Sequence, residues 1–293
     1  MKNSDKDFDT INAMLDTPAQ DAREIGDAQQ IDDALFALRR RVGFKPHKPT
    51  PAGRKSATDP LVTSTVVLAR QTSYPATFLG VTTYTWKKPK VSSSSYYELY
   101  VKADATSGWK IAAYGDVPSA VKPVVDTDGY VDAPPVTAPA HLRQAVVAMR
   151  QAVALGDPPA NWGKSKSLTA FAKTEHARYL YWGNKGDRFA TEDFEAGPVA
   201  PACAPIGGGR MVCFSGMSMT RNYRGGNSWV SFEAKTPSDL QYTGGLKAGK
   251  YSTATVLFRA MFIVELSTAG TGPLRFLGVS EDMPQKGSGV RYR

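Results

Sequence analysis

Long apolar runs are missing from this sequence. The longest candidate, Ala254 to Leu266, is interrupted by Arg259 and Glu265 and is too short for a bilayer, so no helical membrane span is expected. The opening residues Met1 to Asp7 contain no apolar core and read as neither a signal peptide nor an anchor. Imidazoles are scarce: His47 falls in a Pro-rich loop, His141 at a helix start, and His176 beside Glu175 before an expected strand. Ser215, Ser218 and the serines at 92–95 all lie outside any G-x-S-x-G elbow, so a hydrolytic triad has neither an activated nucleophile nor a placed base. Only two cysteines occur, Cys203 and Cys213, with no neighbouring His or Cys to complete a four-ligand metal set.

The composition otherwise belongs to a folded protein. Hydrophobic residues make up 42% and aromatics 10%, while 22% charged residues is too ordinary for wholesale disorder. A net charge of +9 attracts nucleic acid, anionic lipid or anionic wall polymer without choosing among them. The cysteines flank Ala-Pro-Ile-Gly-Gly-Gly-Arg-Met-Val, where a triple-glycine turn can bring their Cβ atoms together. A disulfide ranks ahead of two unpaired thiols, and both rank ahead of metal ligation. A disulfide would imply an extracytoplasmic location.

The order of elements points to an α+β fold. Phe8–Leu15 and Gln29–Val42 carry apolar residues at helical spacing, and Lys45–Asp59 reads as a basic loop. Four strands are expected at Leu61–Ala69, Ala76–Trp86, Tyr96–Lys102 and Trp109–Tyr114, forming an antiparallel meander. A Pro-rich linker at 119–139 then separates a first unit, 1–118, from a second, 140–293. In the second unit Ala140–Leu155 is a clear helix ended by Gly156, and Leu168–Thr174 a short one. Strands are expected at Arg178–Trp182, Arg210–Tyr223, Ser228–Ala234, Thr253–Leu266 and Pro273–Val279. The last hairpin of each unit matches the other: Tyr96–Val101 with Trp109–Pro118, and Ala260–Glu265 with Leu274–Pro284. The expectation is two tandem helix-plus-curved-sheet cones.

Several motifs fail on their surroundings. Gly244 to Lys250 fits G-x-x-x-x-G-K, but Tyr251 replaces the metal-binding Ser or Thr and a β-rich segment follows where a helix is needed, so a hairpin loop is expected. Asp126 to Asp132 lacks the third Asp and distal Glu of a calcium loop and reads as an Asp-Gly turn. Glu98 and Glu265 alternate with apolar neighbours, as solvent-facing strand residues do. A possible binding patch pairs cations with rings at Trp86, Lys87, Lys88 and Lys90 and at Arg221 and Arg224, where lysines also serve as guards of strand ends. No catalytic residue, cofactor or metal is expected.

Phe78-Leu79-Gly80-Val81, the hairpin ending Gly108-Trp109-Lys110-Ile111, and Val125 to Tyr130 form an ordered series. With Ile11 to Asp16 and Gly26-Asp27-Ala28, this series resembles a family of uncharacterised extracytoplasmic proteins of high-GC Gram-positive bacteria. The resemblance implies paired cystatin-like or nuclear-transport-factor-two-like domains and a signal, lipoprotein or membrane segment upstream, and it brings no catalytic residues. The resulting expectation is a non-catalytic binding or scaffold module of the cell envelope, meeting another envelope protein or an anionic wall or membrane surface. Its rival is a small-molecule-binding or hydrolytic cone with an apolar pocket, and nucleic-acid binding ranks below both.

Overall fold

The computed structural model describes residues 14–46, 60–71, 73–86, 92–118, 121–131, 136–157, 159–183, 189–224, 229–280 and 283–292. Most of the helix expected at Phe8–Leu15, most of the basic loop Lys45–Asp59, and Lys87, Lys88 and Lys90 lie outside these residues. The described chain is α+β, with five helices and two open antiparallel sheets of four and seven strands.

Helix α1, Thr17–Arg23, starts where Asp16 accepts the Ala19 N–H at 3.2 Å and Pro18 occupies the first turn. Helix α2, Gly26–Arg41, begins three residues before the expected periodic stretch and buries Ile31, Leu35, Phe36 and Leu38. Strands β1 Leu61–Leu68, β2 Ala76–Trp86, β3 Ser92–Lys102 and β4 Lys110–Val117 then form the expected meander in the order β1-β2-β3-β4.

The second half opens with α3, Leu142–Leu155, which Gly156 closes in the left-handed conformation at φ 88°. Helix α4 runs Lys166–Gly183 and corrects the sequence reading, which placed a strand at Arg178–Trp182. Aromatic residues suit either element. Here a helix nucleated at Ser165, whose Oγ accepts the Leu168 N–H at 3.0 Å, continues through an i,i+3 pair between Glu175 and Arg178. Strands β5 Phe189–Ala196, β6 Ala202–Gly207, β7 Arg210–Arg224, β8 Val230–Phe232, β9 Gly249–Ser267, β10 Arg275–Val279 and β11 Met283–Arg291 form the larger sheet, and the short helix α5, Pro237–Tyr242, precedes β9. Sequence patterning missed β5, β6 and β11. Strand β11 reads as loop because it carries Pro284, Gly287 and Gly289, yet it pairs with β9 across two register shifts, a setting that accommodates proline.

The larger sheet is a wall with an apolar core on each side. Along β7 and β9, Met211, Cys213, Met217, Phe258, Phe262 and Val264 face one core, into which α3 sends Leu142, Val146, Met149 and Val153. The intervening Val212, Phe214, Met261 and Ile263 face the other core, opposite Leu79, Val81, Tyr97, Leu99 and Val117 of the smaller sheet. Strict alternation along two central strands therefore feeds two layers at once. The matched hairpins meet across this second core. A Cβ on Gly278 would fall 2.0 Å from the Asp116 carbonyl oxygen, and one on Gly115 would lie 3.3 Å from the Ser280 nitrogen, so glycine permits each close approach.

Candidate functional site

The space between α3, α4 and the larger sheet, where a cone would hold a ligand, is packed with side chains. A cavity of about 740 Å³ opens between α4, β10 and the end of β4, and another, of about 450 Å³, lies at the seam of the two halves. The walls of the seam cavity include Ala112 and Val101 of the smaller sheet, Val136 and Ala138 before α3, Pro201 just before β6, and Phe214 of the larger sheet. Ser73, Thr77 and Thr137 supply hydroxyls, and Asp27 and Tyr74 are the only ionisable side chains on the described walls.

Asp27 reaches this cavity from the first turn of α2 and is only 7% exposed. Its Oδ2 accepts the Gly216 N–H at 3.1 Å, a bond spanning 189 residues of sequence. A Cβ at Gly216 would sit 2.5 Å from both carboxyl oxygens, so glycine makes the seat. Burial pushes the Asp27 carboxyl above the usual carboxylate range, partly offset by the Gly216 N–H and by the charges of Arg259 and Arg143. Oδ1 takes no protein hydrogen bond, yet it is not among the buried, unsatisfied atoms. The cavity thus presents one reachable acceptor on an apolar wall. A carboxyl set so in an apolar wall can hold and orient a hydrogen-bond donor.

A second carboxyl group of interest is fully enclosed. Glu24 and Asp32 sit side by side beneath α1 and α2, with Gln20 Nε2 donating to Asp32 at 3.0 Å and Tyr114 Oη donating to it at 3.0 Å. Burial first, then the Asp32 charge, push the Glu24 carboxyl up to about 9, and burial also raises Asp32. Neither residue lines a described cavity, so the pair is a store of pH sensitivity in the fold rather than a catalytic dyad.

Of the basic–aromatic patch, Trp86, Arg221 and Arg224 lie within the described residues, and Lys87, Lys88 and Lys90 do not. Arg221 is buried and bonds Glu192 at 2.5 and 2.8 Å, which corrects its reading as an exposed cation. Arg224 is exposed at the end of β7, and Trp86 stands half-buried beside Tyr84 in the other sheet, with ring centroids 6.1 Å apart. Glu265, expected at the surface, is likewise buried and bonds Arg210 at 2.9 Å and Arg275 at 2.8 Å. His176 Nδ1 lies 2.9 Å from the Ala154 carbonyl and closes the end of α3. Asp126 and Asp128 are engaged by Arg70, and the Asp126 side chain accepts from the Asp128 and Tyr130 amides at 2.9 Å, as a turn requires. Gly244 to Lys250 runs from α5 into a strand, so no helix N-terminus meets it.

Cys203 and Cys213 are direct register partners on β6 and β7, with Cα atoms 4.1 Å apart and the sulfurs joined. Gly207, Gly208 and Gly209 all take positive φ in the turn between them. Loop-closure entropy assigns this link roughly 2–3 kcal/mol. Cys203→Ser with Cys213→Ser is therefore expected to lower the unfolding free energy by that amount in denaturant titration, and reductant is expected to reproduce the loss in the parent protein only.

Among the described residues no helix is long and apolar enough to cross a membrane. No cluster of three metal-ligating side chains occurs among them either. Comparison of the chain with family models, with curated proteins and with solved structures finds no match.

Proposed function

We propose that the protein is a non-catalytic extracytoplasmic binding module of the cell envelope, and that its ligand site is the seam cavity. The observation that carries the site is Asp27 Oδ1, a reachable acceptor without a protein partner in the wall of a mostly apolar cavity. Such a wall fits a small, largely apolar molecule with one hydroxyl or amine. The paired cysteines and the family resemblance support the extracytoplasmic placement, and the matched hairpins support the tandem arrangement. The net charge of +9 supports an anionic wall or membrane surface as the larger neighbour.

Three cyclohexane probes test the cavity. Calorimetry is expected to rank cyclohexylamine above cyclohexanol, with cyclohexanecarboxylate excluded by the Asp27 charge. Amine binding is expected to strengthen as pH rises through the elevated Asp27 range, because only the ionised carboxyl attracts the ammonium. Asp27→Asn keeps an acceptor for Gly216 and removes the charge, so amine affinity should fall about tenfold, which corresponds to about 1.4 kcal/mol. Equal binding of amine and carboxylate, or an unchanged affinity in the variant, refutes the reading.

A further inference from the structure

Proteins guard the free edges of their sheets with charge, proline or irregularity. The larger sheet does so. Its edge strand β5 carries Glu192, Asp193 and Glu195, and β11 carries Pro284, Lys286 and Arg291. Strand β1 has none of these devices. Its sequence, Leu-Val-Thr-Ser-Thr-Val-Val-Leu, contains no charge, proline or glycine, and among the described strands it pairs only with β2. Leu61, Val62 and Val66 are 58%, 50% and 40% exposed.

One contact on that edge fixes which backbone groups point outward. The Val131 N–H donates to the Leu68 carbonyl at 2.7 Å, and the Arg70 N–H donates to the Val131 carbonyl at 3.3 Å. Residues of an antiparallel strand alternate in direction, so the even-numbered residues of β1 aim their N–H and C=O away from β2. Val62, Ser64 and Val66 therefore present an open ladder, and none of these backbone groups takes a hydrogen bond among the described residues. The window is closed by Pro60, which has no N–H, at one end and by Val131 at the other. Within it the sequence is a palindrome, Val62-Thr63-Ser64-Thr65-Val66.

We propose that this edge binds a second copy of the same chain, with a twofold axis through Ser64 joining two four-stranded sheets into one of eight. A twofold axis perpendicular to a sheet keeps like faces together, so opposed residue numbers must sum to an even value. Centring on Ser64 pairs Ser64 with Ser64 and Val62 with Val66, giving about six backbone hydrogen bonds. On the inner face it sets Thr63 opposite Thr65 and Leu61 opposite Val67. Centring on Thr65 would oppose Val62 to Leu68, whose carbonyl Val131 already holds. Centring on Thr63 would oppose Val66 to Pro60, which cannot donate. Of these neighbouring registers, only the Ser64 one satisfies every outward group, and the palindrome makes its side chains complementary to themselves.

Sedimentation velocity on the intact, oxidised chain tests this. At tens of micromolar the parent protein is expected to show a dimer of twice the 31.6 kDa chain mass, dissociating on dilution. Ser64→Pro removes an outward amide without touching a β2 bond, so it should weaken the dimer at least tenfold while the far-UV spectrum stays unchanged. Val62→Lys with Val66→Lys should abolish the dimer. Val62→Lys with Val66→Glu should restore it, because the Ser64 register places each lysine site opposite a glutamate site. A parent protein that stays monomeric, a ladder of larger species, or equal behaviour of the two charge pairs would each overturn the proposal.

Discussion

Glutamine in place of Glu24 is expected to stabilise the protein at pH 8 by on the order of 3 kcal/mol and to flatten its loss of stability in mild alkali. The Glu24 carboxyl is held protonated by burial beside Asp32, with a folded value of about 9 against an ordinary 4.5. A raised folded value means that the contribution of this group is fully present below about pH 4.5. It drains away as pH rises through about 9, because the unfolded chain releases the proton long before the folded one does. Glutamine copies the neutral acid in shape, can donate to Asp32 as the acid proton does, and has nothing to ionise. Urea titrations at pH 5, 7 and 9 separate the two chains: their midpoints should nearly coincide at pH 5 and diverge steadily above it. Parallel pH profiles would mean that Glu24 is not the group responsible.

Glu175→Ala is expected to cost about 3–5 kcal/mol, the largest loss among the single substitutions considered. Arg150 is 1% exposed, between α3 and the larger sheet, and Glu175 is its carboxylate partner, shared with Arg178 at 2.5 Å. The rings of Phe194 and Phe171 also lie 5.0 and 5.7 Å from the centre of the buried guanidinium. The cost comes from taking a carboxylate away from a buried guanidinium rather than from the worth of one bond. Arg150→Met combined with Glu175→Leu removes both charges and should recover most of the loss. A double variant as unstable as Glu175→Ala would show that packing, and not charge, governs this site.

The sequence made the layers legible where the chain obeys a single period. Helix α3 has an apolar stripe, and the smaller sheet follows its Val, Thr, Tyr and Phe runs. Elsewhere local pattern misled because partners lie far away. Glu265 sits between Val264 and Leu266 as a surface residue would, but β9 is covered on both faces and two arginines hold the side chain inside. Asp27 looks like any first-turn acid, and only Gly216 turns it into a seated, elevated carboxyl. Glu24 and Asp32 follow no spacing that marks a pair; the bend between α1 and α2 brings them together. The cysteines were readable because both partners and their turn lie within one short hairpin.

Helix α2 carries a consequence for how the protein is made. Its Arg41 bonds the Gly244 carbonyl 203 residues later, Arg39 bonds Gln241 across 202, and Arg259 reaches back to Gln30 across 229. At a synthesis rate of roughly 5–20 residues per second, these partners appear about 10–45 seconds after the helix. During that interval Phe36 can already pack on Leu15 and Ala19, and Ile31 on the smaller sheet, while the polar ties to α5 and β9 wait. The corner where α2 meets α5 and β9 is thus completed only after those elements have been made, long after the helix itself.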